Sequence, residues 1–201
     1  MYNNINSNVI NNCCCTCGLK KALCIIEKLG NLVDSTDLVT VYYDTNLTIT
    51  KATLQSSEYP NLVRVMGKST INNVTTDISL DLCLEYLNAI CIKPASNNYQ
   101  LIINELNKDY CSIMTLNIPC NENCCCKYSF ISFFKDTYTQ MDPANRSFKL
   151  GISGVSPTDP LSTNKLNIIH CDYDVAWLLD TTLGESKIYL VPLCKIYGVI
   201  K

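Results

Sequence analysis

The chain has 201 residues, of which 47% are hydrophobic and 17% are charged, and its net charge is −2. This is a globular composition, long enough for one domain of ordinary size or two small ones. Nucleic acids and anionic membranes both require a basic face, so we expect the chain to bind neither. No apolar run approaches the roughly 20 residues that cross a bilayer, so we expect no membrane insertion.

Cysteine is the unusual component, with 14 residues of this type. That share approaches the one that marks disulfide scaffolds, and disulfides persist only in oxidising surroundings. The first residues, MYNNINSNVINN, lack the basic start and the apolar core of a secretion signal. We therefore expect synthesis in the cytoplasm, where the thiols bind metal, stay reduced, or oxidise later when the cell that made them lyses.

Residues 1–18 are predicted to form a flexible arm that ends in the cysteine cluster NNCCCTCG. The arm is rich in Asn and Ser, which compete for backbone hydrogen bonds and disfavour regular structure. The next residues, LKKALCIIEKLG, have apolar side chains at helical spacing and predict one short amphipathic helix that ends at Gly30. Cys24 lies close to its apolar side, where a thiol can serve as a small buried hydrophobic group.

After this helix the apolar period changes to two, which predicts strands. The candidate strands are DLVTVYY, NLTITKATL, NLVRVMG, TDISLDLCLEYL, AICI, YQLIIN, YCSIMTLNI, KYSFISFF, SFKLGI, LNIIHC, VAWLL, KIYLVPL and KIYGVI. In TDISLDLCLEYL, the four alternating apolar side chains from Ile78 to Leu84 would share one face. Trp177 and the Phe residues of FISFF are predicted to lie in the core.

Strands this short and frequent predict a mainly β fold, an antiparallel sandwich or a jelly-roll-like barrel. We assign residues 19–201 to this single domain. No alternation of strands and helices points to a parallel α/β sheet. Internal repetition is limited to two cysteine triplets, so a duplicated domain is not predicted.

Eight cysteines lie in two clusters: Cys13, Cys14, Cys15 and Cys17, and then Cys120, Cys124, Cys125 and Cys126. Adjacent cysteines do not easily bond to each other, because a disulfide needs Cα atoms roughly 4.4–6.8 Å apart and neighbours lie about 3.8 Å apart. In an extended segment, adjacent side chains also point in opposite directions. A triplet on a flexible arm therefore offers bonds to two surfaces, and we expect those surfaces on other subunits.

Thiolate metal binding is the alternative function. Cys14-x-x-Cys17 is a CxxC pair, the usual half of a structural zinc site, and Cys120 and Cys124 offer a tolerable second spacing. A zinc site takes four ligands, however, and the triplets leave thiols over. We therefore predict no metal and no other cofactor, and keep zinc or copper binding as the alternative.

An enzyme is not predicted. A nucleophilic cysteine needs a base to form its thiolate, and His170, the only histidine, lies in no protease motif. A redox enzyme of the thioredoxin type would place its CxxC in a parallel α/β pattern, which does not follow here.

The N-terminal segment resembles a known kind of spore protein. INNCC, from Ile10 to Cys14, with Cys24 further on, is similar to the connector of the endospore appendage fibre proteins of bacilli. In that connector, an apolar residue, a Cys pair and a later Cys precede a jelly-roll domain. The cysteine-rich composition, with much Asn, Lys and Ile, also resembles the self-assembling exosporium proteins of clostridia. The middle triplet lies outside the fibre pattern, and this chain is longer than a single fibre domain.

The resemblance implies a structural subunit that polymerises with itself, or with other cysteine-rich proteins, on a spore surface: exosporium, coat or appendage. Such proteins are made in the mother cell without a signal peptide and become disulfide-linked as that cell lyses. The first cluster, Cys13, Cys14, Cys15 and Cys17, would then make intersubunit bonds. Independently of the resemblance, we expect Cys124 to Cys126 to make a docking or lateral contact, with Cys120 as a further candidate for an intermolecular disulfide, and Cys83 and Cys91 to be core thiols. Head-to-tail contacts need not close, so the polymer would be a fibre or a lattice.

Overall fold

The structure, a computed structural model, describes residues 15–33, 39–44, 47–57, 62–71, 74–106, 108, 133–134, 147–172 and 175–200. These ranges include the helices α1 (Cys15–Leu29), α2 (Tyr99–Leu106) and the short α3 (Pro160–Thr163). Helix α1 begins four residues before the predicted helix, so the end of the predicted arm is helical. The rest of that arm, residues 1–14, lies outside the described residues.

Ten strands join into one sheet in which every neighbouring pair is antiparallel. They are β1 (Val39–Tyr43), β2 (Leu47–Ser56), β3 (Leu62–Ile71), β4 (Val74–Cys83), β5 (Leu87–Ile92), β6 (Ser147–Ile152), β7 (Leu166–Asp172), β8 (Val175–Asp180), β9 (Lys187–Pro192) and β10 (Ile196–Ile200). Their order across the sheet is β10-β6-β7-β8-β9-β5-β1-β2-β3-β4. The prediction of a mainly β, antiparallel fold with an N-terminal helix is confirmed.

Apolar side chains form two clusters, one on each face of the central strands. Along β8, Val175, Trp177 and Leu179 belong to the first cluster, and Ala176 and Leu178 belong to the second. Helices α1 and α2 contribute to the first cluster, and α3 contributes to the second. Since successive side chains of a strand alternate between faces, β5, β8 and β9 are buried on both sides. The resulting layers are sandwich-like, and Trp177 is buried as predicted.

The ten strands divide into two units with the same connectivity. In the first unit, β1 to β5, the spatial order is 5-1-2-3-4; in the second unit, β6 to β10, it is 10-6-7-8-9. In both units a three-residue 3₁₀ turn, Leu84–Tyr86 or Leu193–Lys195, joins the fourth strand to the fifth. The units meet where β5 pairs with β9.

The register of pairing is repeated as well. The pairs between the first and fifth strands are Thr40–Cys91, Val41–Ile90, Tyr42–Ala89 and Tyr43–Leu87 in the first unit, and Lys149–Ile200, Leu150–Val199, Gly151–Gly198 and Ile152–Ile196 in the second. Corresponding residues lie 109 positions apart, as 152 minus 43 and 196 minus 87 show. The bulge recurs at the same place, at Asn88 and at Tyr197. The structure thus shows a repeated unit that the sequence patterns did not predict.

Each unit must also be curled. The fourth and fifth strands stand four positions apart in the unit, which is about 19 Å in a flat sheet at a spacing of roughly 4.8 Å. The chain from Cys83 to Leu87 spans at most about 14 Å when fully extended. The sheet therefore bends so that the end of β4 approaches the start of β5. This bend gives the unit a barrel-like curvature.

Some local predictions are wrong. YQLIIN was predicted as a strand, but it lies in helix α2, where Ile102 and Leu106 are buried one turn apart. Of KYSFISFF only Phe133 and Phe134 are described, and both are helical rather than extended. TDISLDLCLEYL is not one strand, because the turn at Leu84–Tyr86 separates β4 from β5. Short apolar runs do not distinguish strand from helix when tertiary contacts decide the outcome.

Candidate assembly surface

The two outermost strands, β4 and β10, give the sheet two unlike outer edges. In the part of the chain that the structure describes, no strand pairs with the outer edge of either one. Such an edge offers backbone N–H and C=O groups that can pair with a strand of another chain. These edges are the places where this fold can add a further strand.

Exposed apolar side chains concentrate on these edge strands. Among the described residues, Val74 and Leu80 of β4 are 61% and 39% exposed, and Tyr197 and Ile200 of β10 are 72% and 64% exposed. Large exposed apolar side chains elsewhere in the described ranges are Tyr86 and Leu101. Apolar groups gathered at strand edges are typical of surfaces that another chain covers.

Charged groups on β3 and β4 moderate this surface. Arg64 donates to both carboxylate oxygens of Asp81, with Nε and Nη2 each 2.9 Å from its acceptor. The hydrogen bond from Arg64 lowers the pKa of the Asp81 carboxyl. Both side chains are largely exposed. A charged pair beside an edge discourages indiscriminate strand addition.

Most of the predicted disulfide residues lie outside the described residues, namely Cys13, Cys14, Cys120, Cys124, Cys125 and Cys126. Cys15 and Cys17 belong to the first turn of α1. The intersubunit bonds assigned to both clusters therefore remain a prediction.

The cysteines within the described ranges differ in state. Cys83, Cys91 and Cys171 are not disulfide-bonded. Cys24 and Cys194 are disulfide-bonded. Cys91 is buried, as expected for a core thiol, whereas Cys83 is half-buried. The role of a core thiol therefore fits Cys91 better than it fits Cys83.

Cys91 lies among polar groups that do not activate it. Burial raises the pKa of its thiol to about 12, and the nearby Lys187 only partly opposes this effect. Burial also raises the pKa of Tyr189, whose hydroxyl lies near Cys91. A nucleophilic cysteine needs a lowered pKa and an exposed sulfur, so Cys91 is suited to packing rather than to catalysis.

The polar groups around this thiol serve the fold. The Asp159 carboxylate accepts a hydrogen bond from the backbone N–H of Leu161 at 2.9 Å and so caps α3. It also accepts a longer one, 3.4 Å, from the hydroxyl of Tyr42. Asp180 accepts hydrogen bonds from the Asn164 side chain at 2.7 Å and from a backbone N–H at 2.8 Å. Carboxylates with such partners stabilise turns, and of these two only Asp180 is buried.

His170 lies on β7, where it pairs in register with Trp177 and is half-buried. Within the described ranges, no group of three or more His, Cys, Asp or Glu side chains is arranged to hold a metal ion. The cysteine clusters that would supply a zinc site lie largely outside those ranges. His170 and its neighbours do not form a metal centre there.

Sequence reasoning missed a buried contact that fixes the bulge of the first unit. The bulge residue Asn88 is buried and donates its side-chain N–H to the carbonyl of Asp44. Gly154, at φ +74°, lies against this pair, and a Cβ there would collide with both. An Asn in an apolar strand and a Gly in a turn give no sequence signal for such a distant contact.

Across the described part of the chain, no helix combines the length and the apolar character that crossing a membrane requires. Comparison with protein-family models, with curated proteins and with solved structures gives no match to this chain. Its function is therefore argued from its residues and their geometry.

Proposed function

We propose that this chain is a structural, non-enzymatic subunit that polymerises with copies of itself and is then cross-linked by intermolecular disulfides. The observation that carries the proposal is the pair of unlike outer edges, β4 and β10, with exposed apolar side chains on both. Unlike edges favour a head-to-tail contact, which extends without closing. A fibre or lattice subunit needs such a contact, whereas a soluble enzyme is harmed by it.

The cysteine triplets fit this role because they follow the period of the fold. Cys15 lies 24 residues before the start of β1, and Cys126 lies 21 residues before the start of β6 (39 minus 15, and 147 minus 126). Each five-stranded unit thus has its own triplet at a similar place in the sequence. In a polymer the triplets would recur with the units, as regularly spaced linking points.

The bridges convert a weak contact into a covalent one. Each bridge forms when two thiols lose two protons and two electrons, which dioxygen of the surroundings accepts. A bond of this kind resists heat and detergent until a reductant cleaves it. We assign the intersubunit bonds to Cys13, Cys14, Cys15 and Cys17, and a second contact to Cys120, Cys124, Cys125 and Cys126.

The setting proposed for this polymer is a spore surface, as exosporium, coat or appendage. The support for it is the resemblance of INNCC and of the composition to such proteins. In this setting the chain stays reduced in the mother cell and oxidises when that cell lyses. Other cysteine-rich surface proteins would be further partners.

Thiolate binding of zinc or copper is the second candidate, favoured by the CxxC pair Cys14 and Cys17. Metal content separates the two functions. The metal candidate predicts a stoichiometric metal on purification and a reduced, monomeric chain.

The proposal is tested by electrophoresis in hot SDS, with free thiols blocked at lysis and with or without a reductant. We expect a high-mass ladder that collapses to the 22.5 kDa chain only with the reductant. Replacing Cys13, Cys14, Cys15 and Cys17 by Ser should remove most of the ladder, whereas Cys171→Ser, at a half-buried cysteine outside both clusters, should leave it. Monomer in both lanes for the wild-type chain would contradict the proposal, and metal analysis would then test the alternative.

A further inference from the structure

We propose that successive copies of this chain join by pairing the outer edge of β4 in one copy with the outer edge of β10 in the next, with Leu80 opposite Ile200. This inference rests on the proposed function and identifies the partner of each edge as a second copy. It follows from the contact between the two units inside one chain.

The internal contact joins the same two kinds of edge. Strand β9 is the fourth strand of the second unit, and β5 is the fifth strand of the first unit. Among the described strands, the two left unpaired on their outer sides are β4, the fourth of the first unit, and β10, the fifth of the second. One chain therefore already contains one copy of the contact and presents both halves of another.

The register of the internal contact predicts the register between copies. Within the chain, Leu190 pairs with Ile90, and Tyr189 pairs with Cys91. The fourth strands correspond with the same offset as the fifth strands, because Cys83 and Pro192, which precede the two 3₁₀ turns, are also 109 positions apart (192 minus 83). Subtracting 109 from the β9 residues gives their counterparts on β4, and adding 109 to the β5 residues gives their counterparts on β10. This places Asp81 opposite Val199 and Leu80 opposite Ile200.

The exposed fractions of the side chains support the pair of Leu80 and Ile200. Tyr189 and Cys91 are buried against each other in the internal contact. Their counterparts Leu80 and Ile200 are apolar but exposed. Pairing β4 with β10 would bring these two side chains together directly across the strands, where apolar pairs stabilise an antiparallel ladder. Pairing of β4 with β10 between copies would therefore explain why apolar side chains are exposed at both edges.

The other pair, Asp81 opposite Val199, shows how the contact between copies differs from the internal contact between β9 and β5. Trp177 packs in register beside Leu190 in the second unit and is buried. At the corresponding place in the first unit, Asp81, the counterpart of Leu190, pairs in register with Arg64, and these two side chains form the exposed ion pair. The contact between copies thus buries less apolar surface than the internal one. It is expected to be reversible until disulfides form, which explains why a chain with such edges also carries two cysteine clusters.

The test uses charge substitutions in the full chain. Leu80→Lys or Ile200→Lys would bury an unpaired charge, so we expect the high-mass ladder formed on air oxidation to fall roughly tenfold or more. Val74→Lys is the matched control: Val74 is also exposed on β4, but it lies at the other end of the strand from the paired residues. Circular dichroism of each reduced variant checks that the fold is kept.

A double variant tests the register. With Leu80→Lys and Ile200→Glu in one chain, the two charges are opposite each other between copies, and the ladder should return. A ladder as strong in Leu80→Lys as in Val74→Lys would overturn the inference while leaving the proposed function intact. Loss in both single variants without recovery in the double variant would overturn the register. No ladder from the wild-type chain would overturn the proposed function and, with it, the inference.

Discussion

The thiol of Cys91 lies on β5 between β1 and β9, in the polar surroundings of Tyr42 and Tyr189. Its pKa is raised to about 12, chiefly because burial disfavours the thiolate. The same physical cause raises the pKa of both tyrosines. These groups are neutral in the folded chain over the whole physiological range, so they pack as weakly polar core residues.

Stability should therefore fall at alkaline pH. The folded-state pKa of Cys91 lies above its ordinary value of 9.0, so the stabilisation is complete below pH 9 and is lost as the pH rises towards 12. One such group contributes a slope of up to about 1.4 kcal/mol per pH unit. Urea unfolding of the reduced chain at pH 8 to 11 measures the slope.

Cys91→Ser is the control for this slope, since Ser does not titrate. The variant should lose free energy of unfolding less steeply between pH 9 and pH 11 than the wild-type chain does. Equal slopes in the two proteins would show that Cys91 is not the group responsible. Lys187, Asp159 and Asp180 are unchanged in this comparison, so their charges cancel from it.

At the scale of elements, β3 passes unusually close to the bulged strand β2. The register of β2 shifts between Thr50 and Thr53, and Lys51 has a positive φ of 51° within the shift. A Cβ added to Gly67 would meet the Thr50 carbonyl oxygen at 2.9 Å and the Cα of Ala52 at 3.0 Å. Only a residue without a side chain allows this approach.

Gly67→Ala should therefore destabilise the fold by about 1–3 kcal/mol, the usual range for overpacking a close contact. Gly198→Ala, in β10, is the matched control, because nothing lies within 4 Å of a Cβ there. Denaturant midpoints of the two reduced variants check the difference. Equal midpoints for the two would contradict the close contact between β2 and β3.

The sequence predicts the strands whose apolar residues alternate or run continuously, and it fails where helix and strand patterns coincide. Alternating apolar runs identify β1 and β6, and continuous apolar runs identify β8 and β9, which are buried on both faces. The helix α2 escapes this reasoning, since YQLIIN is compatible with either period. The split of TDISLDLCLEYL at Leu84–Tyr86 escapes it as well, because an apolar 3₁₀ turn carries no Gly or Pro to mark it.

The candidate surface is predictable only in part. Leu80 is expected on a buried face by its alternation with Leu82, yet on the outermost strand β4 it is exposed, whereas Leu82 is buried. Strand order depends on contacts between distant segments, which alternation does not record. The cysteine clusters are visible in the sequence at once. That β4 and β10 correspond to the paired strands β9 and β5 becomes visible only when the strand order and the register are known.

At the scale of the whole molecule, two curled units share one sheet, and strands β5, β8 and β9 contribute to both apolar clusters. Corresponding buried residues, 109 positions apart, are Val39 and Phe148, Val41 and Leu150, Leu82 and Val191, Leu84 and Leu193, and Leu87 and Ile196. The first of each pair belongs to one cluster and the second to the other. A chain that repeats a unit through a strand contact offers the same contact for extension, and in our proposal the two cysteine clusters would make that extension permanent.

The central claim is that this chain extends without a fixed limit, and sedimentation velocity of the air-oxidised protein tests it most directly. We expect a broad distribution of sizes that shifts to larger species as the protein concentration during oxidation is raised, and that returns to the 22.5 kDa chain in reductant and denaturant. A single discrete species, whether a monomer or a closed oligomer, at every concentration and before any reductant is added, would contradict the account.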